Sequence, residues 1–150
     1  MKSFTRVIIA VALCFAIGGI VGGCSSGNII KGDPKKELQR FFPTEFLENA
    51  KLVYHYKENE YIVSPDQYVI YKLDDPPNEF LETYKFKQTE IDFYDEWRLN
   101  NMEKFKIPQK YRLDFEKQYL RAEFSREQGY GYAVGYYYTE TMELAFYYNL

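Results

Sequence analysis

Histidine and cysteine are nearly absent from this chain: its 150 residues include one histidine, His55, and two cysteines, Cys14 and Cys24, both within the first 24 positions. Residues 25–150 therefore carry no thiol, which excludes a disulfide framework and cysteine nucleophile chemistry from that region. One histidine without a thiol cannot supply the ligands of a histidine–thiolate zinc site. His55 sits inside the strand-like run Leu-Val-Tyr-His-Tyr and reads as a structural side chain, since the sequence offers few partners for a general base. Ser64 and Ser125 stand outside any Gly-x-Ser-x-Gly elbow and read as turn or strand-end residues. Asp66, Asp74 and Asp75 lack the alternating oxygen ligands and glycine of a calcium loop, and Asp75 reads as a helix cap. Gly129, Gly131 and Gly135 have the wrong spacing for a phosphate loop, with no lysine or following helix to complete one. The expectation is a protein with no cofactor, no metal and no catalytic residue.

Long apolar runs are missing too, except at the start. Lys2 and Arg6 form a short positive region, and Val7 to Val21 follow as an apolar stretch broken only by Gly18 and Gly19. This is the layout of a secretory signal, shorter than the roughly 20 residues of a membrane-spanning helix and ending in small residues instead of a basic stop. The segment Val21-Gly22-Gly23-Cys24 resembles the lipobox of bacterial lipoprotein precursors: an aliphatic residue, two small residues, then the obligatory cysteine. That resemblance covers residues 1–24 only. It implies removal of the signal peptide 1–23, a diacylglycerol thioether on Cys24 and a further acyl chain on its new amino group, so that Cys24 is the lipidation site. Two chains suffice for stable anchoring where one is marginal. Ser25 replaces the aspartate that holds such proteins at an inner membrane. The resemblance thus implies an outer-membrane location where one exists, otherwise the outer leaflet of the cell membrane, facing away from the cytoplasm.

Removing 23 of 150 residues leaves 127, which fits one domain. The mature chain would hold 17 basic and 22 acidic residues, a net charge of −5. That balance argues against nucleic acid or an anionic lipid surface as partner. All 16 tyrosines and the only tryptophan fall in this part. Tyrosine buries a ring while keeping its hydroxyl at a wet edge, so it suits half-exposed strands.

Residues 24–33 read as a lipidated tether, and residues 34–150 as a single α+β domain. Asp33-Pro34 signals a helix start, with Leu38, Phe41 and Phe42 on one face and Pro43 as the stop. Thr44 can cap a short second helix containing Phe46 and Leu47. Strand compositions follow from Leu52, at 61–63, and after the Ser64-Pro65-Asp66 turn. Asp74-Asp75-Pro76-Pro77 begins a helix with Phe80, Leu81 and Tyr84 on its buried stripe. Leu99, Met102 and Phe105 at threefold spacing predict another helix ending before Pro108, then a turn or short helix to Phe115. Residues 120–124 alternate, 127–129 make a turn, and 130–138 and 142–150 alternate again. The expected architecture is an antiparallel sheet of about five strands with a C-terminal meander and two or three helices packed on one face.

The strong export address and missing catalytic machinery point to a non-enzymatic interaction protein of the cell envelope, binding another envelope protein or a cell-wall component. The tyrosine ladder Tyr130, Tyr132, Tyr136 and Tyr138 is its candidate binding surface. The alternative is a cell-wall hydrolase using paired carboxylates, which rests on location and carboxylate number alone.

Overall fold

A computed structural model describes residues 33–58, 65–126 and 130–150. The signal segment, Cys24, the tether up to residue 32, the apolar stretch 61–63, Ser64 and the turn residues 127–129 lie outside these residues. Asp33 is extended and its carboxylate accepts the Lys35 amide at 3.0 Å, with Pro34 as the first helical residue, so α1 (Pro34–Leu38) starts where the sequence predicts. It stops earlier than expected. Phe41 and Phe42 lie in the turn before Pro43, which has no N–H with which to continue a helix. A 3₁₀ turn (Glu45–Leu47) follows, preceded by Thr44, whose hydroxyl makes no capping bond.

Five strands form one antiparallel sheet: β1 (Lys51–Lys57), β2 (Asp66–Lys72), β3 (Tyr119–Ser125), β4 (Tyr132–Tyr138) and β5 (Glu143–Asn149). Their order is β1-β2-β5-β4-β3, so the C-terminal meander is present and the first two strands extend it through the β2–β5 pairing. The period of two sorts side chains onto two faces. Val69, Tyr71, Ala133, Tyr137, Leu144, Phe146 and Tyr148 line one face and pack with Leu38, Phe42, Leu47, Phe80 and Leu81. Phe42 is the centre of this layer, with ring centroids 4.7 Å from Phe124, 5.0 Å from Phe146 and 5.2 Å from Phe80. This face is covered by α1, the 3₁₀ turn and α2 (Asn78–Thr83).

A third helix, α3 (Phe93–Lys104), lies on the other face, where Met102, Ile107 and Leu113 pack with Tyr68, Ile70, Val134, Tyr136, Tyr138, Ala145 and Tyr147. Two helices thus share one face as expected, and the second face is covered as well. The reason is visible in β2, β4 and β5, whose residues are buried at nearly every position. Such strands demand cover on both sides.

Asp75 is not a cap, which corrects the expectation. It lies in an exposed bend, and α2 begins three residues later behind Pro77 with no side-chain capping bond. Pro76 disfavours helical backbone at Asp75, so the helix cannot start there. Both α2 and α3 end with a lysine at positive φ, Lys85 and Lys106. In each case the next amide reaches back five residues, Phe86 to the Leu81 carbonyl and Ile107 to the Met102 carbonyl, both at 2.9 Å. This is the Schellman ending, with lysine where glycine is usual.

Candidate binding groove

The start of α3 is fixed by a capping box. The Asp92 carboxylate accepts the Asp95 amide at 2.9 Å, and the Asp95 carboxylate accepts the Asp92 amide at 3.3 Å. From that start the helix presents Asp95, Arg98 and Met102 inward. Asp95 is fully buried and is the hub of an ion cluster. Its Oδ1 accepts from Tyr136 Oη at 2.5 Å and Arg98 Nη1 at 3.1 Å, and its Oδ2 accepts from Arg121 Nη1 at 3.0 Å. Arg121, on β3 opposite Tyr136, also donates to Asp92 at 2.7 Å and to Glu123.

The electrostatics follow from this geometry. Burial acts to raise the Asp92 carboxyl, but the Arg121 hydrogen bond, the Asp95 amide and the Arg121 charge outweigh it and hold the group below its ordinary range. Burial disfavours the Arg121 charge, yet Asp92 and Asp95 overcome that and stabilise it. The Tyr136 hydroxyl is driven well above the usual phenol range by burial and by Asp95, with Arg98 opposing. It remains a donor at any ordinary pH.

With its inward face committed to the cluster, α3 turns its first aromatic residues outward. Phe93 lies nine residues before Met102, about two and a half turns, and so on the opposite side of the helix. Phe93 is 73% exposed, Tyr94 62% and Trp97 40%. Phe93 and Trp97 are four apart and Tyr94 and Trp97 three apart, so the rings form one ridge. Beside this ridge runs a groove of about 820 Å³, lined also by Asp92, Arg98, Glu123, Ser125 and Tyr132. The volume falls within the range of about 300 to 1,000 Å³ typical of small-molecule sites.

The tyrosine ladder divides around this groove. Tyr132 is half-buried in the wall, and its hydroxyl is pushed up to about 12, by burial first and then by the Asp66 charge. Tyr136 is buried beneath the groove in the ion cluster. Tyr138 is buried too, its hydroxyl accepting the Asp114 amide at 3.0 Å. Tyr130 is 95% exposed beyond the start of β4, where its carbonyl accepts from Arg126. Only Tyr130 and Tyr132 of the four offer ring surface to solvent.

His55 stands on the opposite sheet face near the far edge, paired in register with Val69. Its Nε2 is buried without a hydrogen-bond partner, and burial, outweighing Gln67 and Glu37, lowers its proton affinity. Asp66 accepts from Tyr147 at 2.8 Å and Asn149 at 3.1 Å, tying β2 to β5. Among the described residues no three His, Cys, Asp or Glu side chains converge as a metal site, and no helix there is long and apolar enough to cross a membrane.

Phe93, Tyr94 and Trp97 were not singled out from sequence, although a signal existed. Asp92-x-x-Asp95 marks a helix start, and counting from it places Phe93 and Trp97 away from Met102.

Fold and site together define an α+β protein with a charged floor and an aromatic rim at one end of its sheet. No protein-family model matches the chain, and no curated protein or solved structure matches it significantly.

Proposed function

We propose that this chain is a lipid-anchored protein of the bacterial envelope whose acidic domain works by binding, through the groove beside Trp97, and not by catalysis. The address comes from the signal and lipobox-like sequence ending in Cys24. The observation that carries the binding reading is the ridge of Phe93, Tyr94 and Trp97, three aromatic rings left in solvent beside a groove while charged side chains occupy the interior. Exposed aromatic clusters of this kind mark contact surfaces. The carboxylates at the groove support the same reading, because Asp92, Asp95 and Glu123 all bond to Arg121. A general acid needs a raised pKa, whereas Asp92 is lowered. The partner is an envelope protein or a cell-wall component, and the net charge disfavours nucleic acid.

Two measurements test this. Labelling cells with a radioactive fatty acid should mark the wild-type chain and leave Cys24→Ala unlabelled; label on Cys24→Ala removes the anchor assignment. Purified full-length protein mixed with cell-wall fragments should release neither sugars nor peptides. Release of either, lost in Asp92→Asn or Glu123→Gln, overturns the binding reading in favour of a carboxylate hydrolase.

A further inference from the structure

We infer that the groove takes a saccharide bearing an N-acetyl group, stacked on the Phe93–Tyr94–Trp97 ridge, with its carbonyl accepting from Arg98. The inference rests on the binding reading above and adds the class of ligand. Its first support is a buried donor without an acceptor. Arg98 is 6% exposed and lines the groove. Its Nη1 is engaged by Asp95 and Tyr136, while its Nε has no partner. A buried guanidinium nitrogen left unsatisfied is costly; the Arg98 Nε is enclosed just behind the groove wall, and a shift of the side chain towards the groove lets a ligand carbonyl remove that cost.

The second support is charge. Asp92, Asp95 and Glu123 against Arg98 and Arg121 leave the site at −1, which disfavours a free anion, while the unsatisfied Arg98 donor disfavours a cation. A neutral ligand that both accepts and donates fits. Asp92 and Glu123 provide the acceptors, since their side chains remain 43% and 66% exposed beside Arg121. Hydroxyl groups suit those oxygens. The third support is shape: a pyranose has an apolar C–H face, and the ridge offers aromatic faces to receive it. One acetamido carbonyl, several hydroxyls and an apolar ring face therefore meet the donor, the acceptors and the rim together.

The chain contains a single tryptophan, and it stands on this rim, so its emission reports directly on occupancy. Full-length protein in a polyoxyethylene detergent, which carries no sugar, is titrated with oligomers of N-acetylglucosamine and separately with glucose oligomers of the same linkage. A saturable change in Trp97 emission is expected with the acetylated series, at least about tenfold tighter than with the other, a difference of roughly 1.4 kcal/mol. Phe93→Ala and Tyr94→Ala, both at exposed positions, should each weaken binding severalfold without lowering the unfolding temperature. Arg98→Lys should abolish the preference for the acetylated series; where it unfolds the protein, the two aromatic variants and the comparison of series still decide. Sedimentation with wall glycan stripped of peptide separates two sources of the same chemistry: retention identifies the polymer, and response to oligomers alone identifies free saccharide.

Folded protein with no saturable response to any saccharide at millimolar concentration overturns the inference. So does equal affinity for both series, or a response only to phosphatidylcholine vesicles or to peptide-bearing fragments. These results leave the binding reading standing with a different ligand, whereas release of products from the wall overturns that reading itself.

Discussion

Replacing Asp95 with asparagine should destabilise the domain by about 3 to 5 kcal/mol, the cost of breaking a buried ion pair from one side. The structure explains why the loss should be this large. Arg121 keeps Asp92 and Glu123 as partners, but among the described residues Asp95 is the only carboxylate paired with Arg98. The substitution therefore leaves a guanidinium that is almost fully buried without a countercharge, and it leaves one acceptor oxygen where two serve the cluster and the capping box at the start of α3. Natural domains have about 5 to 15 kcal/mol of stability, so this is a substantial fraction of the total. Urea unfolding followed by Trp97 emission, two residues along the same helix, is the direct assay. With a slope of about 2 kcal/mol per molar, the midpoint should fall by about 1.5 to 2.5 M. Tyr136→Phe removes the 2.5 Å bond to the same carboxylate and should cost about 1.5 to 3 kcal/mol, as hydrogen bonds to charged groups do. Because the residues share a hub, the double variant should lose less than the sum. A loss below about 1 kcal/mol for Asp95→Asn at unchanged slope would falsify the view that the cluster is desolvated and mutually dependent.

Three further outcomes follow from the same structure. His55 is the only histidine, and its folded-state proton affinity is lowered, so the unfolded chain binds the proton more readily. Its contribution is present above the unfolded value of about 6.5 and is lost as pH falls through the lower folded value; stability should drop as pH falls below about 6.5, and His55→Gln should flatten that slope. A Cβ at Gly135 would stand 2.8 Å from Phe86 Cζ and 3.0 Å from Phe146 Cε1, so Gly135→Ala should cost about 1 to 3 kcal/mol in thermal unfolding; no loss would mean the aromatic layer yields. Lys106 occupies the left-handed position at φ 57°, so Lys106→Gly should stabilise by about 0.5 to 1 kcal/mol, and destabilisation would show that its side chain matters more than its backbone.

Much of the fold could be read from periodicity. Alternation in 132–138 and 143–149 is a backbone property that tertiary contacts rarely override once both faces of the strand are apolar, and those strands form as expected. The Asp33-Pro34 start was legible for the same local reason. Sheet order was not, because the β2–β5 pairing joins residues some 80 positions apart and leaves no local mark. Tyrosine obscured the covering of the second face: Tyr136 and Tyr138 look suited to a wet surface, yet their hydroxyls are satisfied internally by Asp95 and the Asp114 amide. The helix end at Lys85 was hidden because the signal is normally glycine, whereas Pro108 announced the end of α3.

The groove was illegible for a different reason, and that reason bears on what it does. Leu99, Met102 and Phe105 predicted the helix itself, but the buried residues of α3 are Asp95, Arg98 and Met102. Sequence reading expects charges outside and aromatics inside, since unpaired buried charge is costly. Here Asp95 pairs with Arg98 on the same helix and with Arg121, 26 residues away on β3, and the second of these partners is in place only after the chain has folded. The inversion then has a consequence for the exposed side. A cluster with this many directional bonds fixes the rotation of α3 about its axis, and that rotation alone decides where Phe93, Tyr94 and Trp97 point. A rim aimed in this way is ordered before a ligand arrives and loses less entropy on binding than a mobile one. Weakening the cluster without unfolding the protein, as Tyr136→Phe should, is therefore expected to weaken ligand binding at a distance from the rim, even though Tyr136 itself is buried beneath the groove.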